Sequence, residues 1–139
     1  MSKVIIFGSG SFAAKHMIET AKSKNNIFSF NKSTVDIRKI DEVSRSIEDI
    51  NPDFIVNFAS ITTVKESFEN PFITYDTSFY GMLNILNSLK KINFKGKILN
   101  ISSSEVYGHP DPENLPIDEK FPLIATSPYS VAKIATEYL

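Results

Sequence analysis

The fold is decided near the amino terminus by the stretch Val4-Ile5-Ile6-Phe7-Gly8-Ser9-Gly10-Ser11-Phe12-Ala13-Ala14. Four consecutive apolar residues are typical of a parallel strand that is buried on both faces. Small residues follow at Gly8 and Gly10, and apolar residues then recur at helical spacing as far as Met17 and Ala21. The stretch therefore predicts a buried strand, a tight turn and a helix that packs on the sheet.

The same alternation continues along the chain. Further strands are predicted at residues 27–30, 34–37, 54–58 and 97–101, and helical periodicity runs from Ile40 to Ile50 and from Phe72 to Leu89. Alternating strands and helices predict one α/β domain over residues 1–139, with a doubly wound parallel sheet in the order 3-2-1-4-5. Ligands of such a sheet bind beyond the carboxyl ends of its strands.

The bulk composition excludes several classes of function. Fifteen basic residues nearly balance sixteen acidic ones, and neither sign forms a long run, so we expect no nucleic-acid or membrane partner. Cysteine is absent and the two histidines are far apart, so no metal site is predicted. No targeting signal and no apolar run long enough for a membrane span is present, and a cytoplasmic location is expected.

The small residues after the first strand predict a phosphate site. Small side chains let the backbone approach a pyrophosphate, and the following helix offers free N–H donors. The motif fits GxGxxA, or a GxxGxxG in which Ser11 and Ala14 replace glycines, and an ordinary strand-to-helix turn is the alternative. The predicted dinucleotide contacts are Gly8, Gly10, Ser11, Phe12 and Ala13.

The residues after the second strand bear on the choice of cofactor. NAD-selective sites often place an acidic residue there to bind the ribose hydroxyls, whereas this chain has Asn31 and Lys32. NADP is therefore favoured over NAD. Lys32 as a solvated surface lysine is the alternative.

A helix bearing Tyr129 and Lys133 is predicted near the carboxyl terminus. Ser127 fits the N-cap and Pro128 the first helical position. Lys133 follows Tyr129 by four residues, so both lie on one helix face, and the ammonium charge favours the phenolate. The strand at 97–101 runs into Ser103 and Glu105, which places a hydroxyl and a carboxylate at the same edge of the sheet.

The order of the Gly-rich turn, SSSEVYG at 102–108 and SPYSVAK at 127–133 resembles the extended short-chain dehydrogenases/reductases that act on nucleotide sugars. The resemblance covers essentially the whole chain, and residues 102–133 are most similar to GDP-mannose 4,6-dehydratases and their relatives. It implies a Rossmann fold, an NADP or NAD cofactor and a nucleotide-diphosphate sugar as substrate.

The resemblance also implies catalytic roles. Ser103 would bind the sugar oxygen, Tyr129 would take its proton, and Lys133 would hold the nicotinamide ribose. Glu105 matches the base that removes the C5 proton in a 4,6-dehydratase, once C4 has been oxidised. A 4-epimerase or 4-keto-reductase, which does not need Glu105, and a non-catalytic dinucleotide-binding module are the alternatives, and Glu105 could instead be a surface or capping residue.

Two further segments resemble cofactor contacts of the family. Asp36-Ile37 matches the pair near the adenine, and Phe58-Ala59-Ser60 matches the turn after the fourth strand. Asp36 could also be an N-terminal acid of the helix that starts at Ile40. The VN-x-x-G pattern of the family's middle helix is absent, because Thr77 and Ser78 precede Gly81.

The family is about twice as long as this chain, as a two-half Rossmann plan requires. We therefore expect a chain that is truncated within the helix of Tyr129, lacks the C-terminal substrate lobe and is inactive alone. The fifth strand would then form an unpaired edge. A homo-oligomer is expected through the Phe72–Leu89 helix or through this exposed fifth strand.

Overall fold

The computed structural model describes residues 1–139, and its centre is a parallel sheet of four strands in the order β2-β1-β3-β4. The strands are β1 (Ser2–Phe7), β2 (Asn25–Phe30), β3 (Phe54–Asn57) and β4 (Lys97–Asn100). The α/β doubly wound prediction is confirmed, because the two central strands β1 and β3 carry helices on both faces of the sheet.

Six α-helices connect and cover these strands. They are α1 (Phe12–Ala21), α2 (Ile40–Ile50), α3 (Val64–Glu69), α4 (Pro71–Tyr75), α5 (Gly81–Lys91) and α6 (Pro128–Glu137). The sequence did not predict α3, a helix of six residues that Thr63 caps by accepting the Glu66 N–H. None of the helices combines the length and the apolar character needed to cross a lipid bilayer.

The long helix predicted from Phe72 to Leu89 is present but is not uniform. Residues Asp76–Tyr80 form a π-helical segment between α4 and α5, in which the Gly81 N–H donates to the Asp76 carbonyl. Hydrophobic periodicity does not reveal such a segment, because it changes the hydrogen bonds of one turn without ending the apolar stripe. Segments of this kind are frequent at functional sites.

The predicted strand at residues 34–37 was wrong, and the sheet has four strands instead of five. The segment forms a turn, in which the Thr34 hydroxyl donates to the Asn31 carbonyl and accepts from the Asn31 N–H. The Asp36 N–H donates to the Glu42 carboxylate at 2.8 Å, so it is not available to a sheet partner. Local side-chain hydrogen bonds of this kind compete with strand pairing.

Alternation along β1 explains the two-sided core. Ile5 and Phe7 face α2 and α5 in a cluster of ten buried residues, whereas Val4 and Ile6 face α1. The largest residues of β1 are fully buried because both faces of the strand are covered. This packing fixes the carboxyl end of β1, from which the Gly-rich turn emerges.

Candidate functional site

A cavity of about 370 Å³ lies at the carboxyl edge of the sheet, beyond β1 and β3. Its walls include most of the predicted cofactor contacts, namely Gly8, Gly10, Ser11, Asn31, Lys32, Asp36, Ile37, Phe58, Ala59 and Ser60. Six residues that were not predicted as cofactor contacts complete it: Val35, Arg38, Ile61, Thr62, Ile73 and Thr77. One cavity therefore gathers four segments of the chain, residues 8–11, 31–38, 58–62 and 73–77.

The two glycines of the turn differ in what surrounds them. Gly8 has a φ of 77°, and a Cβ atom there would lie 2.5 Å from the Ala59 nitrogen and 2.7 Å from the Phe58 carbonyl carbon. Gly8 is therefore needed because the turns after β1 and β3 touch each other. A Cβ atom at Gly10 would meet no atom within 4 Å, so this glycine opens onto empty space in the cavity.

The start of α1 offers free backbone donors beside this space. Ser11 is the N-cap, and its hydroxyl accepts the Ala14 N–H at 3.2 Å. The N–H groups of Phe12 and Ala13, at the first two helical positions, have no acceptor within the helix. The Phe12 side chain is 89% exposed and does not line the cavity, so only the backbone of these two residues fits the predicted contact.

The loop after β2 is a compact turn built by Asn31. Its side-chain carbonyl accepts from the N–H and the hydroxyl of Ser33, and the N–H groups of Thr34 and Val35 donate to the Asn31 main-chain carbonyl. Lys32 lies at the tip of this turn and lines the cavity. The turn thus presents a lysine to the cavity.

Asp36 lines the cavity as the partner of Arg38. The guanidinium donates from Nε and Nη2, with distances of 2.9 Å and 2.5 Å to the two carboxylate oxygens. These hydrogen bonds, together with the charges of Arg38 and Lys32, lower the pKa of Asp36 to about 2 although burial opposes the shift. Asp36 does precede Ile40, but its carboxylate makes no cap hydrogen bond to α2, whose N-cap is Lys39.

The departure from the family pattern at Thr77 and Ser78 falls in the π-helical segment. Ser78 is 3% exposed, and its hydroxyl lies 2.8 Å from that of Ser60. Thr77, the preceding residue, lines the cavity. The π-helical segment therefore holds the turn after β3 through Ser78 and contributes the side chain of Thr77 to the cavity wall.

The predicted start of the carboxyl-terminal helix is confirmed. Ser127 is the N-cap of α6, Pro128 is its first residue, and Ser127 and Ser130 form a reciprocal capping box. The capping fixes the first turn of the helix, on which Tyr129 lies half-buried. The Lys133 ammonium lies 5.7 Å from the centroid of the Tyr129 ring.

Lys133 is buried against the end of β4. Its side-chain nitrogen donates to the carbonyl of Ile101 at 2.7 Å, and the residue is 7% exposed. Burial lowers the pKa of Lys133 to about 8, and the charge of Glu137 partly opposes this shift. The ammonium therefore carries its charge at neutral pH and loses it about two units below an exposed lysine.

Ser103 and Glu105 follow β4 directly. Ser103 caps a short 3₁₀ helix (Ser104–Tyr107), and its hydroxyl oxygen accepts the Glu105 N–H at 3.3 Å. Its hydroxyl proton is left to donate elsewhere. Glu105 is half-buried in the first turn of this helix, against which α6 packs.

The four predicted catalytic residues thus share one region, and the predicted dinucleotide contacts lie in or beside another, except Tyr129 and Lys133, which were predicted for both roles. Ser103, Glu105, Tyr129 and Lys133 surround the junction of β4 and α6, and none of them lines the 370 Å³ cavity. Both regions lie at the carboxyl edge of the sheet. Between them runs a polar contact that the sequence analysis missed, an Asn57–Asn100 pair at 2.9 Å.

Comparison with known proteins identifies the family. The family model described as GDP-mannose 4,6 dehydratase matches residues 3–139. A UDP-glucose 4-epimerase of Mycoplasma pneumoniae is 35% identical over 100 residues, which are 69% of this chain and 29% of that protein. The match to this relative therefore covers about two thirds of this chain and under a third of the relative.

Solved structures show the same fold over about half of their length. A dTDP-4-dehydrorhamnose reductase from Bacillus anthracis, in complex with NADP, has a TM-score of 0.88 at 25% identity, covering 99% of this chain and 48% of its own. A UDP-glucose 4-epimerase from Bifidobacterium longum, in complex with NAD+ and UDP, has a TM-score of 0.88 at 28% identity, covering 99% and 47%. The chain belongs to the GDP-mannose 4,6 dehydratase family, one of the nucleotide-sugar epimerase, dehydratase and reductase families.

Proposed function

We propose that this chain binds a nicotinamide dinucleotide, NADP in preference to NAD, in the 370 Å³ cavity. The residues that line the cavity fit a nicotinamide dinucleotide. Gly10 leaves open space where a Cβ atom would stand, and the first N–H groups of α1 beside it have no helical acceptor. Solved structures with this fold contain NADP or NAD+.

Charge supports the preference for NADP. Lys32 lines the cavity as a free cation, while the carboxylate of Asp36 is neutralised by its hydrogen bonds to Arg38. The cavity therefore holds a net positive charge next to the turn after β2. The extra phosphate on the adenine ribose of NADP is attracted by that charge, whereas NAD has no phosphate at that position.

We propose further that the whole protein acts on a nucleotide-activated sugar, as a 4,6-dehydratase. A nicotinamide dinucleotide bound in the cavity would supply hydride transfer to and from the sugar. Tyr129 is the group that takes and returns the proton of the sugar hydroxyl, and Ser103 has a hydroxyl proton free to bind the same oxygen. The Lys133 ammonium has two N–H groups left, after its bond to Ile101, to hold the ribose.

Glu105 is the proposed base for the dehydration step. A 4-keto group acidifies the neighbouring C–H, and a half-buried carboxylate at the end of β4 can remove that proton. A 4-epimerase or 4-keto-reductase would use Ser103, Tyr129 and Lys133 without it. In the whole protein, Glu105→Gln should abolish dehydration and leave hydride transfer to a 4-keto sugar intact; unchanged dehydration would exclude Glu105 as the base.

The observation that carries the proposal is the bond between Lys133 and the Ile101 carbonyl. It places the helix of Tyr129 directly against the strand end that continues into Ser103. A non-catalytic dinucleotide-binding module would not need this convergence. We further propose a homo-oligomer, because an apolar surface formed by α4, the π-helical segment and α6 includes Phe72 at 87% and Tyr80 at 56% exposure.

Calorimetric titration of the chain with NADPH, and separately with NADH, tests the cofactor proposal. We expect NADPH to bind at least about tenfold more tightly than NADH, a difference of roughly 1.4 kcal/mol. Lys32→Asp should remove the preference, and Lys15→Asp, an exposed lysine on α1 outside the cavity, should keep it. Equal affinities for the wild-type chain would contradict the preference, and binding of neither dinucleotide would contradict the cavity assignment.

A further inference from the structure

Two neighbouring strands of the sheet, the inner strand β3 and the edge strand β4, each end on an asparagine. Asn57 closes β3 and Asn100 closes β4, and the two residues face each other in the strand register. Asparagine is disfavoured in strands, where apolar and β-branched residues pack better. Two adjacent asparagines, of which Asn57 is only 3% exposed, are therefore unexpected at the strand ends where the site begins.

Hydrogen bonds extend this pair in both directions. On one side the Asn57 side-chain oxygen accepts the Ala59 N–H at 3.0 Å, and its nitrogen donates to Asn100 at 2.9 Å. On the other side the Asn100 nitrogen donates to the Thr136 hydroxyl at 3.3 Å, which donates to the Lys133 carbonyl at 2.7 Å. Four hydrogen bonds thus connect the turn after β3, which lines the cavity, with α6.

The next two residues of the chain add parallel contacts. The Ile101 carbonyl accepts from the Lys133 ammonium, and the Ser102 hydroxyl donates to the Glu137 carboxylate. Asn100, Ile101 and Ser102 therefore each bond to a different residue on one stretch of α6. The helix cannot shift along the strand end without breaking all three contacts.

We propose that Asn100 is a positioning residue that holds α6 in register with the turn Phe58-Ala59-Ser60. Its side chain is the one group that touches both sides, through Asn57 towards the cavity and through Thr136 towards the catalytic helix. The inference rests on the proposed function, because it assigns to this contact the spacing between the dinucleotide cavity and the Tyr129–Lys133 pair. It concerns positioning only, since Asn100 contacts none of the proposed reacting groups.

A contribution to stability alone is the alternative, because any buried polar network stabilises a fold when it is fully satisfied. The two roles differ in what they change. Loss of stability lowers the unfolding temperature and leaves the folded site as it was. Loss of positioning lets the buried ammonium of Lys133 reach water and changes the distance between the two halves of the site in the folded protein.

Thr136→Val is the sharpest variant, because valine has the same shape and lacks the hydroxyl that bonds to Asn100 and to Lys133. Asn100→Leu removes the centre of the chain of contacts, and Thr136→Ser restores the hydroxyl. Ser88→Ala is the matched control, since Ser88 is fully buried and bonds to Ser44 and Asn84 between α2 and α5, away from the site. Lysine side-chain titration by NMR and NADPH affinity by calorimetry are measured for each.

We expect Thr136→Val to raise the titration midpoint of Lys133 by about one unit, towards that of an exposed lysine, and to weaken NADPH binding by about tenfold. Thr136→Ser should restore both values, and Ser88→Ala should lower only the unfolding temperature. The proposal is overturned if Thr136→Val lowers the unfolding temperature like Ser88→Ala and leaves both other values unchanged. If the wild-type chain binds no NADPH, the cofactor proposal fails, and the Lys133 titration still decides the role of the Asn100 contact.

Discussion

The ammonium of Lys133 lies 5.7 Å from the centroid of the Tyr129 ring, with the two residues one helical turn apart on α6. The ammonium does not point into solvent, because it donates to the Ile101 carbonyl and is buried. The sequence spacing alone fits an exposed pair equally well. The structure therefore makes Lys133 a buried cation whose charge state depends on the packing of α6 against β4.

Burial of Lys133 should make the stability of the chain rise with pH. The pKa of Lys133 is lowered to about 8 in the folded protein, against about 10.4 for an exposed lysine. Between these values the unfolded chain binds more protons than the folded one, so the free energy of unfolding increases with pH. The expected increase from this group is about 3 kcal/mol, complete above pH 10.5.

Urea denaturation of the wild-type chain and of Lys133→Met at several values between pH 7 and pH 11 isolates this effect. The variant should lack the increase, because methionine has no charge to lose. Lys15→Met, at an exposed position of α1, should behave like the wild type. Parallel curves for all three proteins would show that Lys133 is hydrated in the folded state.

The two glycines of the phosphate turn should respond differently to the same substitution. Gly8→Ala forces an L-residue into a φ of 77° and places its Cβ atom 2.5 Å from the Ala59 nitrogen. We expect a loss of about 2 to 4 kcal/mol in stability. Gly10→Ala meets no atom within 4 Å, so the fold should be unaffected while the methyl group occupies space in the cavity.

Thermal unfolding and NADPH titration of both variants check these expectations. Gly8→Ala should lower the unfolding temperature by several degrees. Gly10→Ala should melt like the wild type and bind NADPH about tenfold more weakly. Wild-type affinity in Gly10→Ala would mean that the dinucleotide does not approach this turn.

The Asp36–Arg38 pair should stabilise the folded chain except at acid pH. The pKa of Asp36 is lowered to about 2, below the value near 3.9 of an unfolded chain, mainly because Arg38 donates hydrogen bonds to the carboxylate. Its contribution is therefore fully present above about pH 4 and disappears as the pH falls through 2. Allowing for solvent screening, we expect about 1 kcal/mol.

Denaturation of Asp36→Asn at pH 7 and at pH 2 tests this contribution. The variant should be less stable at pH 7 by about 1 kcal/mol, and most of this difference should be gone at pH 2, where the Asp36 carboxyl group of the folded wild type is about half protonated. Glu48→Gln, an exposed position of α2, serves as the control and should change neither value. A deficit that persisted at pH 2 would point to a packing effect of the amide instead of the ion pair.

The oligomer proposed for this chain can form through the apolar surface or through the edge strand β4. Phe72 is 87% exposed on α4, and Leu99 is 51% exposed on β4. If the apolar surface forms the contact, Phe72→Asp should raise the dissociation constant by at least about tenfold. Leu99→Lys should do so if the edge strand pairs, because lysine is a common block to edge pairing.

Sedimentation at several concentrations distinguishes the two cases. Leu115→Asp changes an exposed apolar residue that lies outside both surfaces and provides the control. A wild-type chain that stays monomeric at every concentration would contradict the oligomer itself. A dimer unaffected by either substitution would require a third surface.

Local sequence signals predicted the elements that carry the site. A continuous apolar run predicted β1, and Ser127 and Pro128 predicted the start of α6, because such signals act between near neighbours. The same reasoning failed at residues 34–37. There the competition between a strand and a turn was decided by a contact from the Asp36 N–H to Glu42, six residues away.

By itself, the sequence determined the doubly wound sheet, the Gly-rich turn, the Tyr129–Lys133 helix and the family. Only the tertiary structure decided that Asn57 and Asn100 join the cavity to α6. The physical reason is distance along the chain. Hydrophobic periodicity and helix capping depend on residues that are close in sequence. The buried Asn57 amide instead finds its partner, Asn100, 43 residues away, and this pairing depends on strand register, which the whole core sets.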